Sequence, residues 1–416
     1  MPDLQPMTPE SPQASLAGRL CDLSVLFLKL GAISFGGPAA HIALIEAEIV
    51  RRRQWVTRQQ FLDMVGAANL IPGPTSTELA INVGFARAEW MGLAVAGASF
   101  ILPAALITGA FAWAYVRFGA QPQTASVLAG IKPAVIAVIA IAIWRLGKTA
   151  VKDVALATLA GLALAAFFLS LNPIAILFGG SLVGMVARRL ASARATGALF
   201  SSTILLQRLF VSDAAGAGWT RFLRSPAAVA ISFGVAAPAV ARPSLRSIAL
   251  FFLKVGAVLY GGGYVLLAFL EQGLVGQRAW LTHKQLLDAV AIGQFTPGPV
   301  LSTATFIGYI LGGVPGAAVA TVAIFLPSFF YVALLAPVLF RLRQSAWLAA
   351  FLDSVNVCAV ALMAGVTFRL GVDALRGWSS WVIAVAALGV LLRWKVNPAW
   401  VVLGGGLVRL LLSGFH

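Results

Sequence analysis

The polar residues best placed to do chemistry in this sequence gather at a Pro-Gly-Pro break. The stretch Asn69-Leu-Ile-Pro72-Gly73-Pro74-Thr75-Ser76-Thr77-Glu78 returns later as Gln294-Phe-Thr-Pro297-Gly298-Pro299-Val-Leu-Ser302-Thr303. Helical patterning flanks both copies. Two prolines around a glycine cannot continue a helix, because donors are missing and the residue before each proline is pushed out of the α region. Pro74 suits the first position of a new helix. The second arm should therefore open with free backbone donors at Thr75, Ser76 and Thr77, at the positive end of the helix dipole. Helix N-termini are anion sites, and interrupted helices at membrane depth are tolerated where they line a cavity. A lone proline would read as a kink that shapes packing; a break present twice favours a binding site. The first copy is the better polar site, since Val300 and Leu301 stand where it has its first two hydroxyls.

Lys29 and Lys254 come next. Each sits inside an otherwise apolar run, where a cation costs about 2.5–3.5 kcal/mol on insertion scales. Snorkelling is the ordinary explanation, but their matched positions favour a role in binding an anion. Gly36-Gly37-Pro38 and Gly261-Gly262-Gly263 follow about two helical turns later and allow flexibility or close backbone approach. A nucleotide loop is disfavoured there, because the GxGxxG spacing is absent. Asp63 and Asp288 are matched carboxylates that could carry coupling protons or pair with nearby Arg58 or Lys284. Glu78, whose counterpart Thr303 cannot titrate, is a third coupling candidate, with Asn82 one turn beyond it. Lys132 is a weaker anion ligand. His41 reads as a satisfied interior histidine, and Trp55 and Trp280 as interfacial anchors. No nucleophile–base pair, metal-spaced His/Cys cluster or P-loop is present, so neither an enzyme nor a cofactor or metal is expected.

The elements that must hold these residues are membrane spans. Hydrophobic residues make up 60% of the 416, charged residues 11%, and mean hydropathy is +0.92. Soluble domains carry about 25% charged residues, so a soluble fold is excluded and a polytopic all-α transmembrane bundle is expected. The net charge of +16 fits basic loops facing an anionic leaflet; no basic stretch interleaved with aromatics suggests nucleic acid. On a ruler of about 20 apolar residues per span, spans fall near 20–42, 90–116, 126–144, 154–171 and 173–186. A second series falls near 247–270, 313–340, 346–368, 378–392 and 396–412.

The chain is duplicated. FLKLGAISFGG (27–37) returns as FLKVGAVLYGG (252–262), an offset of 225 that runs without a gap for roughly 50 residues. It matches Glu46 with Glu271, Trp55 with Trp280, Thr57 with Thr282, Gln60 with Gln285 and Asp63 with Asp288. The domains expected are a disordered tail (1–19), a first repeat (20–187), a basic linker (188–246) and a second repeat (247–416). Two apolar runs in the linker, 199–210 and 226–240, are short for spans and are left open as interfacial or extra helices. Opposite charge bias in matched loops (Arg51, Arg52, Arg53 and Arg58 against Arg278 and Lys284, and Arg117 against Arg341 and Arg343) weakly favours inverted repeats. Duplicated halves are a signature of secondary transporters. Cys21 and Cys358 are far apart in apolar runs and support no disulfide framework.

The FGGP segment after Lys29, the run from Glu46 to Trp55 and the repeated Pro-Gly-Pro motif together resemble the CHR family of chromate ion transporters, in its long-chain, two-module form. The resemblance covers nearly the whole chain from about Leu20. It implies a multi-pass carrier of the bacterial inner membrane that exports chromate and confers resistance, with sulfate, an isosteric dianion, as an associated substrate. The partners expected are a chromate or sulfate anion, protons and the lipid bilayer, with a homodimer as one possible assembly. The substrate site expected combines Lys29, Gly36, Gly37, Gly73, Thr75, Ser76, Thr77, Lys254 and Gly298. Pro72, Pro74, Pro297 and Pro299 make the helix breaks, and coupling to the proton motive force falls to Asp63, Glu78 or Asp288. The rival readings are a sulfate carrier, an anion channel and a membrane-embedded reductase; the last lacks any flavin or nicotinamide fingerprint.

Overall fold

The computed structural model describes residues 15–35, 37–119, 121–195, 243–260, 263–335, 345–394 and 396–413. Within them the first module runs α1 (Leu16–Ile33), α2 (Pro38–Glu46), α3 (Arg58–Ala68), α4 (Thr75–Phe118), α5 (Pro122–Ala150), α6 (Val154–Phe168) and α7 (Gly180–Ala195). The second runs α8 (Leu245–Val258), α9 (Leu266–Leu270), α10 (His283–Phe295), α11 (Thr303–Leu335), α12 (Ala346–Ala374), α13 (Trp378–Arg393) and α14 (Pro398–Ser413). No strand occurs among the described residues. α2 and α9 each run on as a π-helix, Ala47–Arg52 and Glu271–Gln277.

The repeat governs local structure as well as sequence. α3 and α10 open on identical capping boxes, Thr57 with Gln60 and Thr282 with Gln285. Gln54 and Ala279 both take a positive φ just before them. Four helices are long and apolar enough to cross a membrane among the described residues: Thr75–Phe118, Ser126–Ala150, Val300–Leu334 and Ala346–Ala374. A straight helix of 44 residues would measure about 66 Å, twice the hydrocarbon thickness. α4 instead reverses at Ala88 and Glu89, whose backbone leaves the helical region, and α11 reverses at Gly312 and Gly313. Glycines let the arms of each hairpin touch: a Cβ on Gly84 would stand 2.2 Å from the Gly92 carbonyl oxygen, and one on Gly308 would stand 2.4 Å from that of Gly316. Gly31 and Gly256 likewise bring α1 onto the Phe100 carbonyl and α8 onto the Ile324 carbonyl. α5 packs against α12, α13 and α14, and α4 against α11 across the modules. Trp90, Leu106, Trp113, Val322 and Phe330 face outward, the surface expected toward lipid.

Several expected boundaries are corrected. The run 20–42 is not one span: α1 ends at an extended Ser34, and α2 restarts after Gly37 (φ 82°) with Pro38 in its first turn. The run 247–270 breaks in the same way after Val258. Residues 16–19 belong to α1 rather than to the tail, because the Ser15 side chain caps that helix. α7 continues to Ala195, inside the stretch expected as linker. The apolar runs 199–210 and 226–240, together with Arg341 and Arg343, lie outside the described residues.

Candidate functional site

The first Pro-Gly-Pro break holds a buried cluster of polar side chains. Gly73 adopts φ +145°, a conformation that favours glycine. Pro74 is the N-cap of α4 rather than its first helical residue, and its carbonyl accepts from Thr77 N–H (2.8 Å) and Glu78 N–H (3.1 Å). Of the three backbone donors expected at this end, Thr77 is therefore used internally. Those of Thr75 and Ser76 bond to no acceptor among the described residues. Thr77 Oγ1, both carboxylate oxygens of Glu78, Ser34 Oγ and Ser328 Oγ are also buried without a hydrogen-bond partner among the described residues. An unpaired buried polar group ordinarily costs about 1–3 kcal/mol, so five such oxygens call for a functional explanation.

Glu78 occupies the break itself. Its Oε1 lies 2.2 Å from the point where a Cβ on Gly73 would stand, and Ser328 Oγ lies 2.5 Å from that point. The Glu78 carboxyl group thus fills the concavity at the helix end, where the dipole favours negative charge. Asn82 does not reach this carboxylate; its Nδ2 donates to the Glu78 backbone carbonyl at 3.0 Å.

His41 closes the other side. Its Nε2 is 3.1 Å from the Ser34 carbonyl oxygen and its Nδ1 is 3.1 Å from Ser76 Oγ. A carbonyl can only accept, so Nε2 carries the proton, and neutral Nδ1 accepts from the Ser76 hydroxyl. His41 is the interior histidine expected, yet it orients a site residue. The second module completes the wall: Ser328 comes from α11, and the Tyr260 hydroxyl donates to the Leu70 carbonyl.

The second break is closed by its own contacts. A 3-10 turn, Val300–Ser302, precedes α11, and Thr303 Oγ1 donates to the Val300 carbonyl at 2.8 Å. The N–H of Gly298 donates to the Ser34 carbonyl at 2.8 Å, and Thr108 Oγ1 donates to Ser302 Oγ at 3.2 Å. Pro297, Gly298 and Pro299 are buried, as are Gly73 and Pro74; Pro72 is half-buried. Asp288 is fully buried beneath this break. Lys132 Nζ stands 3.0 Å from its Oδ1, and the Tyr115 hydroxyl donates to its Oδ2 at 2.9 Å.

Other expected site residues are not brought to the first break. Lys29, whose side chain is 48% exposed, pairs with Glu48 at 3.0 Å. Lys254 is exposed and lines a separate cleft. Asp63 is half-buried on α3 and accepts from Gln59 Nε2 at 3.5 Å. Gly37 starts α2, whereas Gly36, Gly261 and Gly262 lie outside the described residues. Trp55 is buried under the guanidinium groups of Arg53 and Arg87 (4.9 and 4.2 Å) rather than anchored at an interface. Sequence reasoning missed Ser34, Tyr260, Ser328 and the Lys132–Tyr115–Asp288 cluster. No spacing rule links Ser328 to Gly73; its place follows only from helix packing. Among the described residues no group of His, Cys, Asp and Glu side chains could hold a metal ion.

Two homologous modules, each with a broken helix packed on the partner module, define an integral membrane protein with the duplicated build found among transporters. The chromate transporter family matches residues 21–185 and 246–410, one match for each module, and the chain belongs to that family. It is 31% identical to a chromate transport protein of Cupriavidus metallidurans over 415 residues, 97% of this chain and 98% of the relative. It is also 31% identical to a probable chromate transport protein of Synechococcus elongatus over 381 residues, 91% of each chain. An uncharacterized transporter of Bacillus subtilis matches at 28% over 132 residues, 32% of this chain and 74% of the relative. No solved structure matches the chain.

Proposed function

We propose that this protein is a carrier that exports chromate from the cytoplasm across the bacterial inner membrane, with the first Pro-Gly-Pro break as its anion site. The observation that carries the reading is the buried N-terminus of α4. Free N–H groups at Thr75 and Ser76 and unpartnered hydroxyls at Thr77 and Ser328 surround a position now held by the Glu78 carboxylate. These donors suit a tetrahedral dianion, and the full-length relatives, a chromate transport protein and a probable one, make chromate the first choice.

The carboxylate and the substrate compete for one helix end. An oxyanion enters when Glu78 takes up a proton and turns away, and leaves as the carboxylate returns. A dianion accompanied by one proton moves one net negative charge outward, and an inside-negative potential drives that movement by about 2.3 kcal/mol per 100 mV. The proton gradient acts through Glu78: because the proton travels outward with the anion, an outside-acid gradient opposes the export that the potential drives. The buried Asp288, neutralised by Lys132, serves as a packing anchor of the second module.

Uptake of labelled chromate into inverted membrane vesicles tests the reading, with and without a proton gradient and with excess sulfate. Saturable uptake that responds to the gradient is expected. Thr77→Val combined with Ser328→Ala, which removes both unpartnered hydroxyls, should weaken it far more than Val300→Ala at the second break. Equal and small effects would reduce the break to a structural kink. Uptake of sulfate but not chromate would keep the carrier and overturn the substrate.

A further inference from the structure

Matched positions in a duplicated chain act as controls for one another. In the first module Glu48 gathers three cations: Lys29 Nζ at 3.0 Å, Arg52 at 3.2 Å and Arg53 at 3.7 Å. At the same offset the second module has Lys254, Gln277 and Arg278, but glycine at 273 in the place of Glu48. Two of the three cations remain and the carboxylate is gone. Neither Lys254 nor Arg278 forms an ion pair among the described residues, so two positive charges are left uncompensated.

Those charges line an open cleft that also presents Asn172, Gln272 and Gln277. Asn172 comes from the connection after α6, so both modules build the cleft. Arg278 is held in place: its guanidinium lies 5.0 Å from the Phe251 ring and 5.3 Å from the Trp280 ring, and its Nη1 donates to the Gly273 carbonyl at 3.3 Å. The missing side chain has a steric reason, since a Cβ on Gly273 would stand 2.5 Å from the Phe251 ring. A held guanidinium, an exposed ammonium and the side-chain amides of Asn172 and Gln277 around one opening are a donor set that suits an oxyanion.

We propose that this cleft is a second anion site, distinct from the Pro-Gly-Pro break, that binds a phosphate- or sulfate-like oxyanion. The same chemistry could come from a free tetrahedral anion or from the phosphodiester of an anionic phospholipid. The site does not depend on the substrate or direction of transport.

Binding of radiolabelled sulfate to the full chain in nanodiscs tests it, in zwitterionic lipid alone and with phosphatidylglycerol added. The Thr77→Val, Ser328→Ala background is used so that the break contributes little. Lys254→Gln should weaken binding about tenfold, the scale of one lost charged hydrogen bond. Gln277→Glu, at an exposed position, restores a carboxylate beside both cations and should weaken binding comparably while removing neither. If a lipid headgroup is the natural occupant, phosphatidylglycerol lowers sulfate binding of the parent protein, and the variants bind weakly in both lipids. If a free anion is, phosphatidylglycerol changes nothing and the variants still bind weakly. Parent-like sulfate binding by both variants in both lipids would overturn the proposal, as would no sulfate binding by the parent in zwitterionic lipid. Loss of chromate transport in the background variant alone bears on the break and leaves the cleft standing.

Discussion

Replacing Glu78 by glutamine should tighten anion binding rather than abolish it. The side chain keeps its shape, so no cavity opens beneath Gly73. Both carboxylate oxygens lack a hydrogen-bond partner among the described residues, so no bond needs to be subtracted from the effect. What changes is one negative charge at the N-terminus of α4, where a carboxylate interacts with the helix dipole by about 0.3–1 kcal/mol when exposed and up to ~2 kcal/mol when partly buried. Removing that competitor should raise the affinity for chromate by about 2- to 30-fold. The assay is equilibrium binding of labelled chromate to purified protein, beside vesicle uptake with and without an imposed proton gradient. Glu78→Gln should bind more tightly, and its uptake should no longer respond to the gradient. Weaker binding with an intact response to the gradient would refute the competition and return Glu78 to a structural role.

Three further outcomes follow from the packing. Lys132→Met strands the buried Asp288 carboxylate and should lower stability by about 3–5 kcal/mol, while adding Asp288→Leu should recover most of it; thermal unfolding in detergent would show a large loss and a rescue. Gly92→Ala places a Cβ 2.1 Å from the Gly84 carbonyl oxygen and should cost about 1–3 kcal/mol. Gly161→Ala, with nothing within 4 Å, should not destabilise, and equal melting temperatures for the two would discount the hairpin contact. Lys29→Met removes a half-exposed ion pair worth less than about 1 kcal/mol, so near-normal chromate uptake is expected; abolished uptake would bring Lys29 back into the anion path.

The sequence made the duplication, the helical class and the first break legible, because proline, glycine and matched polar residues act locally and leave local marks. The spans expected at 90–116 and 313–340 begin where α4 and α11 reverse, but the residues do not show why the chain turns back there. Ala88 and Glu89 carry no turn signature, and the close backbone contact between Gly84 and Gly92 exists only once the arms are folded together. The run 20–42 was misjudged because its apolar content outweighed Gly37-Pro38, which restarts a helix at that point. Matched identity also misled at the lysines. Lys29 and Lys254 occupy equivalent positions, but their surroundings differ through Glu48 and Gly273, a difference that matters only when α1 meets the π-helix Ala47–Arg52 and α8 meets its counterpart. Ser328 and Tyr260 were invisible for a simpler reason: they belong to the other module.

That last arrangement bears on assembly. Gly73 nestles against Ser328 of the second module, and Gly298 against Ala104 of the first, with a Cβ at Gly298 falling 2.7 Å from that of Ala104. Neither half holds all the walls of its own break, so a polypeptide containing a single module would need a second one to complete a site. Joining the two halves in one chain turns that encounter into an intramolecular event, whose effective concentration is set by the length of the tether rather than by expression level. It also lets the halves diverge. Once fused, one copy can keep Thr75, Ser76 and Glu78 at its break while the other replaces them with Val300, Leu301 and Thr303, an asymmetry that two identical subunits could not maintain.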